Sequence, residues 1–345
     1  MSKLKGFFAA CALVLTVSAL LAGVCTGSAR AGGVVFFIDD RHGWQSTLRG
    51  NPADTDDLRA TAWHTVNGGA NWKQQATGPA AFTGGGASGG FFAFATPSTG
   101  IWARASHSVL RTTNAGASWR SVGAVAQTWL NDASFATSRV GWACSEISTF
   151  EGGSIVKTAD AGATWQVQKR IAGRSGTGGF MQVSCPSASS CYVLGRGTRL
   201  GGLWATADGG KQWARRALPD GGVWTAIDFP TATTGWAVGP GGAMATTTDG
   251  GKTWRSVEPG AANDLFDISF CNAMVGYASS EGFVWRTTDG GVTWAAQGIL
   301  AENLSPISAV DCVDPAHTWV VDSHGDVFAT SDGGNTWNWN RLPID

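Results

Sequence analysis

The chain has 345 residues, of which 43% are hydrophobic and 14% charged, and this composition excludes an intrinsically disordered protein. Twenty-four Lys and Arg residues are balanced by 25 Asp and Glu residues, so a uniformly basic surface for nucleic acid is excluded as well. The 49 glycines and 18 tryptophans, against two tyrosines, indicate many tight turns and a repeated need for one large ring.

The first 31 residues have the pattern of an export signal. Lys3 and Lys5 precede an apolar run over about 7–21, and the Ala-Arg-Ala sequence at 29–31 fits a signal-peptidase site. We therefore expect a mature chain that begins near Gly32. No later apolar run is long enough for a membrane span, so none is expected after removal of the signal.

A lipoprotein attached through Cys25 is the alternative to cleavage after residue 31. Val24 stands before that cysteine, where lipoprotein sites have Gly, Ala or Ser, so the sequence favours cleavage. Either outcome places the mature chain outside the cytoplasm.

A nine-residue motif recurs seven times in the remaining chain. The copies are HTVNGGANW ending at Trp72, RTTNAGASW at Trp119, KTADAGATW at Trp165, ATADGGKQW at Trp213, TTTDGGKTW at Trp254, RTTDGGVTW at Trp294 and ATSDGGNTW at Trp337. Their spacing of 40 to 48 residues is typical of the four-stranded blades of a propeller.

Each copy has Thr at its second position, Asn or Asp at its fourth, Gly at its sixth and Trp at its ninth. An Asn or Asp side chain accepts hydrogen bonds from main-chain amides ahead of it, and glycine adopts the positive φ of a tight turn. The tryptophan then packs between neighbouring sheets. We assign a structural role to the fourth and ninth residues, which are Asn67, Asn114, Asp160, Asp208, Asp249, Asp289, Asp332, Trp72, Trp119, Trp165, Trp213, Trp254, Trp294 and Trp337.

A second pattern precedes each motif: an apolar strand, a short polar turn, and an aromatic residue in the next strand. The aromatic residues are Trp44, Trp102, Trp142, Tyr192, Trp236, Tyr277 and Trp319. The two patterns together predict four strands per repeat and an all-β, seven-bladed β-propeller. The blades are predicted at about 32–78, 79–125, 126–172, 173–218, 219–258, 259–299 and 300–345. How the ring closes stays open.

These motifs resemble Asp-box, or BNR, repeats. The alternation of GWAVG at 235–239 with TTTDGGKTW at 246–254 resembles the photosystem II stability and assembly factor family, and the resemblance covers the whole mature chain. It implies a seven-bladed propeller in a periplasmic, extracellular or thylakoid-lumen-like compartment. It also implies a role in photosynthesis, in which the propeller binds a membrane-protein complex or assembly intermediate.

The same family implies an arginine-rich surface patch, and no dense arginine run occurs here. Arg111, Lys157 and Arg286 do share the first position of their motifs. They could form one basic rim, or they could be solvated ends of strands.

Asp-box turns also occur in sialidases and xyloglucan-cleaving glycosidases. Tyr192 and Tyr277 occupy the repeated aromatic position and are expected in the core, not as nucleophiles. The chain has the length of one propeller, whereas the xyloglucanase type uses two. We therefore expect no catalytic residues and no enzyme; a carbohydrate-binding or glycoside-hydrolase propeller is the alternative.

No cofactor or metal is expected. The five histidines, His42, His64, His107, His317 and His324, have no metal-ligand spacing. The cysteines instead fit an oxidising compartment. Cys185 and Cys191 bracket a short turn and predict a disulfide, Cys271 and Cys312 are a possible second pair, and Cys144 is left over as a buried thiol.

The repeats differ in the length of two kinds of connection, those from the second to the third strand and those from the fourth strand to the next blade. In a propeller these connections share one face, here called the loop face, and the nine-residue motifs lie on the other, here called the box face. Because loops on a rigid scaffold carry function, we predict that a monomer binds a protein partner on the loop face. The candidate residues are Arg49, Arg59, Trp129, Asn131, Arg174, Arg196, Arg199, Trp224 and Asp264. The alternative is that the aromatic residues among them pack between blades.

Overall fold

The structure is a computed structural model. It describes residues 35–49, 59–79, 81–83, 86–88, 90–103, 108–125, 130–145, 153–171, 179–219, 223–298, 306–340 and 342. The predicted export signal and Cys25 lie outside these residues. In the part of the chain that is described, no helix has the length and apolar character required to cross a bilayer.

Seven four-stranded antiparallel sheets confirm the predicted propeller. Blade 1 contains β1 (Val35–Phe37), β2 (Gly43–Arg49), β3 (Arg59–Thr65) and β4 (Lys73–Pro79). A separate hairpin of β5 (Ala81–Thr83) and β6 (Gly86–Ser88) follows it. Blade 2 contains β7 (Phe91–Thr96), β8 (Thr99–Ala103), β9 (Ser108–Thr112) and β10 (Arg120–Ala124). Blade 3 contains β11 (Leu130–Phe135), β12 (Gly141–Ser145), β13 (Ser154–Thr158) and β14 (Gln166–Arg170).

The other four blades follow the same order. Blade 4 contains β15 (Phe180–Ser184), β16 (Cys191–Gly195), the short helix α1 (Gly197–Leu200), β17 (Gly202–Thr206) and β18 (Ala214–Arg216). Blade 5 contains β19 (Ala226–Asp228), β20 (Gly235–Val238), β21 (Met244–Thr247) and β22 (Arg255–Val257). Blade 6 contains β23 (Leu265–Phe270), β24 (Gly276–Ser280), β25 (Val284–Thr287) and β26 (Ala295–Gln297). Blade 7 contains β27 (Ile307–Cys312), β28 (Thr318–Asp322), β29 (Val327–Thr330) and β30 (Asn338–Asn340).

The first strands of the blades form the inner wall of the ring. Each contacts the first strand of the next blade, and β27 of blade 7 contacts β1 of blade 1. Every described sheet uses consecutive strands only, so no strand is exchanged between the first and last blades. The ring therefore closes through side-chain and backbone contacts between blades 7 and 1.

An aromatic pair joins several neighbouring blades. A phenylalanine near the end of the first strand of one blade stacks on the second-strand aromatic ring of the preceding blade. The ring centroids are 3.5 Å apart for Phe94 on Trp44 and 3.6 Å apart for Phe270 on Trp236. The closing contact is of the same kind, because Phe37 stacks on Trp319 at 3.8 Å. These stacked phenylalanine and second-strand aromatic rings thus form part of the core between blades.

The same phenylalanine explains the glycine that precedes the second-strand aromatic residue. A Cβ atom at Gly141 would lie 2.6 Å from the ring of Phe135, so only glycine leaves room for the ring. In blade 4 the two positions are occupied by Cys185 and Cys191, which form a disulfide. A second disulfide joins Cys271 to Cys312 and links blades 6 and 7, while Cys144 is buried and belongs to neither disulfide.

The invariant threonine of each Asp box, as the nine-residue turn is called below, holds the turn together. In blade 5 the Thr247 hydroxyl donates to Asp249 Oδ1 at 2.9 Å and accepts the Gly251 N–H at 2.8 Å. The Thr253 N–H donates to the same Asp249 oxygen at 2.9 Å. All seven boxes have this set of three bonds.

These bonds keep the box carboxylates ionised. The hydroxyl and N–H of Thr293, together with the Thr287 hydroxyl, lower the pKa of Asp289 to about 2. The pKa of Asp332 falls to about 2 for the same reason, with Thr336 and Thr330 as donors. The box aspartates are therefore committed to turns at any pH above about 4.

We expect Thr247→Val to lower the free energy of unfolding by about 1–3 kcal/mol, because a buried N–H loses its acceptor and Asp249 loses a donor. Urea unfolding followed by tryptophan fluorescence measures the change. Thr248→Val, at the exposed neighbouring position, is the control and should change stability by less than about 0.5 kcal/mol. Equal effects of the two substitutions would contradict this role of the threonine.

Candidate functional site

A groove between blades 4 and 5 opens on the loop face and brings two of the predicted binding residues together. Its volume is about 640 Å³, and Arg196 and Trp224 both line it. Sequence reasoning missed its other large side chains, Arg215, Arg216, Leu218 and Val223. The groove is thus basic along one part and apolar along another.

The connection between β16 and β17 builds one wall of the groove. It turns through α1, and Leu200 at the end of that helix is fully buried. The Trp204 indole N–H donates to the Leu200 carbonyl at 2.9 Å and fixes the connection to the blade. Gly202 follows with φ +112°, and a Cβ atom there would lie 2.9 Å from the Arg216 carbonyl. Glycine therefore allows β17 to begin close to β18, beneath the wall.

The arginines are held in place by backbone carbonyls. Arg215 Nε donates to the Gly201 carbonyl at 2.7 Å, which positions an exposed guanidinium at the groove. Arg216 Nη1 donates to the Gly250 carbonyl of blade 5 and ties the two blades together. Since a guanidinium has five N–H donors, Arg215 can bind an anionic group while it keeps this anchor.

The opposite part of the groove is apolar. Val223 is 62% exposed, and Trp224 beside it is half-buried. The Trp224 indole N–H donates to the Pro219 carbonyl at 3.4 Å, which orients the ring. Among the described residues that line the groove, none is Asp or Glu. The arrangement suits a ligand with both a carboxylate and an apolar group.

The remaining predicted binding residues are not gathered at this groove. The Asn131 amide donates to the Phe180 carbonyl of blade 4 at 2.6 Å, and Asp264 accepts the Gly241 N–H at 2.8 Å, so both have structural bonds. Arg59 is exposed on blade 1, directly across the strand pair from Arg49. Trp129 and Arg174 lie outside the described residues, as do the side chains of Arg49 and Arg199.

The basic residues at the first position of the boxes bridge blades. Arg111 Nε donates to the Ala161 carbonyl of the next box at 2.8 Å, and Lys157 Nζ donates to the Gly209 carbonyl at 2.6 Å. Arg286 lies over the Tyr277 ring at 5.8 Å. Arg111 and Lys157 are therefore joints between blades, which neither sequence interpretation anticipated.

Four carboxylates on first strands were also missed. Asp132, Asp228, Asp267 and Asp311, here called the channel carboxylates, lie on the first strands of blades 3, 5, 6 and 7, which form the inner wall of the ring. Each accepts a backbone N–H from the first-strand segment of the following blade. The pairs are Asp132 with Val183 at 2.8 Å, Asp228 with Phe270 at 2.7 Å, Asp267 with Val310 at 3.0 Å and Asp311 with Phe37 at 2.6 Å. Among the described residues, no group of three metal-ligating side chains has an arrangement that could hold a metal ion.

Three kinds of comparison relate the chain to known proteins. The profile of a family described as photosynthesis system II assembly factor YCF48 matches residues 178–304. The photosystem II assembly lipoprotein Ycf48 of Nostoc sp. is 29% identical in an alignment of 168 residues. The aligned region covers 36% of this chain and 49% of that protein. The match thus spans about half the length of that relative.

The fold is shared with solved structures. YCF48 bound to D1 peptide has a TM-score of 0.67 at 17% identity, over 87% of this chain and 92% of that one. YCF48 from Cyanidioschyzon merolae has a TM-score of 0.66 at 16% identity, over 88% and 96%. The GH74 xyloglucanase from Xanthomonas campestris has a TM-score of 0.63 at 15% identity, over 92% of this chain but 56% of the enzyme.

Proposed function

We propose that this chain, a BNR-repeat propeller similar to the photosystem II assembly factors, is an exported, non-enzymatic scaffold that binds a segment of a protein partner. The observation that carries the proposal is the groove between blades 4 and 5, where arginines and a tryptophan lie together. The propeller occupies residues 32–345, after an export signal at 1–31. Mass spectrometry of the exported protein tests the second point, because a mature chain should begin near residue 32.

The groove fits an extended peptide that carries acidic and apolar side chains. Arg196 and Arg215 line it, and none of its described lining residues is a carboxylate, so charge complementarity favours an acidic segment. Val223 and Trp224 offer an apolar wall beside them. A structural neighbour of this chain is bound to D1 peptide, which supports a segment of a membrane protein of a photosystem as the occupant.

The groove does not support hydrolysis of a glycan. Glycosidases need two carboxyl groups across the scissile bond, and the described residues that line the groove supply none. Tyr192 and Tyr277 are 3% and 0% exposed, so neither can reach a sugar as a nucleophile. The xyloglucanase neighbour is also nearly twice as long as the region it shares with this chain. Release of reducing sugar from xyloglucan by the purified protein would overturn the non-enzymatic assignment.

We expect the double substitution Arg196→Glu/Arg215→Glu to weaken peptide binding by at least about tenfold, because it converts two cations at the groove into anions. Fluorescence anisotropy with a labelled D1 peptide, and with a peptide of alternating Glu and Leu, measures the affinity. Wild-type affinity should also fall as salt is raised, since the contacts are ionic.

A matched control is Arg139→Glu/Arg255→Glu, which reverses two exposed arginines away from the groove. It should leave the affinity within about twofold of wild type, because neither side chain lines the groove and exposed charges outside a contact contribute little. If the control and the groove variant bind the peptides equally, the groove is not the binding site. Trp224→Ala separates the apolar contribution, and its loss of affinity should be independent of salt.

A further inference from the structure

The channel carboxylates carry like charges and repel one another between blades. The charges of Asp267 on the neighbouring β23 and of Asp228 on β19 raise the pKa of Asp311 on β27, and β1 beside it has Phe36 at the equivalent strand position. Asp132 on β11 interacts with Asp267 as well, and β15 beside it presents the neutral Gln182. Among the described first strands, no Lys, Arg or His occurs to balance these charges.

Each carboxylate is also a joint between two blades, through the backbone N–H that it accepts. The bond from Phe37 to Asp311 joins blade 1 to blade 7 at the closure of the ring. Further side chains link the carboxylates around the channel: Ser184 Oγ donates to Asp228 at 3.1 Å, and Gln182 Nε2 donates to Asp267 at 3.4 Å. The charged groups therefore lie within the contacts that hold the ring together.

Ionisation of these groups opposes ring closure. The pKa of Asp132, Asp228 and Asp311 is raised to about 7. Burial is the largest cause and the charge of Asp267 adds to it, while the N–H bonds that these carboxylates accept lower the pKa in part. Burial also raises the pKa of Asp267, to about 6. A protonated carboxyl still has a carbonyl oxygen that can accept the N–H, so proton binding removes repulsion without removing the joint.

We propose that the channel carboxylates are a proton-dependent fastening of the propeller. Proton uptake stabilises the four joints that they make, between blades 3 and 4, 5 and 6, 6 and 7, and 7 and 1, and proton release weakens these joints. Between about pH 4 and pH 7 the folded ring holds protons that the unfolded chain has released. The free energy of unfolding therefore falls as the pH rises through this range. The stabilisation is complete below about pH 4 and is lost as the pH rises through about 7. Ring stability should then respond to acidification of the compartment that holds the protein.

The test is urea unfolding of wild type and of Asp228→Asn/Asp311→Asn at pH 5.5, 7.0 and 8.5. Asparagine keeps an acceptor oxygen and cannot ionise. We expect the wild-type unfolding equilibrium constant to rise at least about tenfold from pH 5.5 to 8.5, because one unit of pKa shift corresponds to a factor of ten. The double variant should show a flatter dependence and unfold at higher urea than wild type at pH 8.5. Asp40→Asn, an exposed residue on the box face, is the control and should keep the wild-type profile.

A second measurement needs no variant. The backbone amides of Phe37, Phe270 and Val310 should titrate in wild-type NMR spectra with apparent midpoints between about pH 6 and 7. If the amides are unchanged between pH 5 and 8.5, or if the double variant keeps the wild-type slope, the proposal is wrong. Should the double variant fail to fold, the wild-type titration alone decides.

Discussion

Trp319→Ala should lower the free energy of unfolding by about 3–5 kcal/mol, the range for truncating a buried tryptophan. The side chain is 1% exposed and stacks on Phe37 across the closing joint. Its indole N–H also donates to the Gly68 carbonyl of blade 1 at 2.9 Å. Because the described ring has no exchanged strand, this contact replaces the strand pairing that could otherwise hold blades 7 and 1 together. Urea unfolding measures the loss.

Trp339→Ala is the matched control for this substitution. Trp339 lies in the same blade, on the outer strand β30, and is 56% exposed. Its removal should lower the free energy of unfolding by less than the removal of Trp319 does, since more than half of the Trp339 side chain is already exposed. A loss at Trp319 no larger than the loss at Trp339 would show that closure does not depend on the stacked pair.

The second large effect is expected for Gly291→Ala, in the Asp box of blade 6. Gly291 has φ +77°, and its new Cβ atom would lie 2.6 Å from the Trp236 indole nitrogen of blade 5. Trp236 cannot move aside because it is 1% exposed and stacked on Phe270. The left-handed backbone costs about 1–2 kcal/mol and the overpacking about 1–3 kcal/mol. We expect a combined loss of about 2–5 kcal/mol in the free energy of unfolding.

Gly282→Ala separates the two contributions. Gly282 is in the same blade, with φ +73°, and no atom lies within 4 Å of the position of its Cβ. It therefore has the backbone cost alone, about 1–2 kcal/mol. Thermal or urea unfolding of the two variants gives the difference, which measures the contact between boxes and the preceding blade. The absence of a difference would mean that the box glycine is required for φ alone.

The fold could be predicted from the sequence because the constraint on each blade is local and repeated. Thr247, Asp249 and Gly251 bond within one turn, so the same residue types return wherever that turn returns. In blades 1, 3, 5 and 6 the glycine before the second-strand aromatic residue likewise indicates a ring that packs over it, as Phe135 packs over Gly141. Seven copies of two such local patterns are enough to count the sheets.

The site was less predictable because its residues do not repeat. Arg215 and Arg216 are the second and third residues after a box tryptophan, where other blades have Gln, Ser, Val, Ala, Trp or Asn, and nothing in their spacing indicates a groove. Arg196 and Trp224 were found because they lie in connections on the loop face. The channel carboxylates escaped notice because equivalent inner positions hold side chains as different as Phe36, Ser134 and Asp228.

Box contacts between blades run in one direction around the ring. The box of each blade receives a side chain from the blade before it, as Gly162 receives Ile101 and Gly291 receives Trp236. A stretch of gene from one point in a blade to the same point in the next therefore encodes both halves of one joint. Duplicating or deleting such a stretch would change the number of blades without creating an unmatched joint, which offers a simple route by which propellers of this kind could gain or lose a blade.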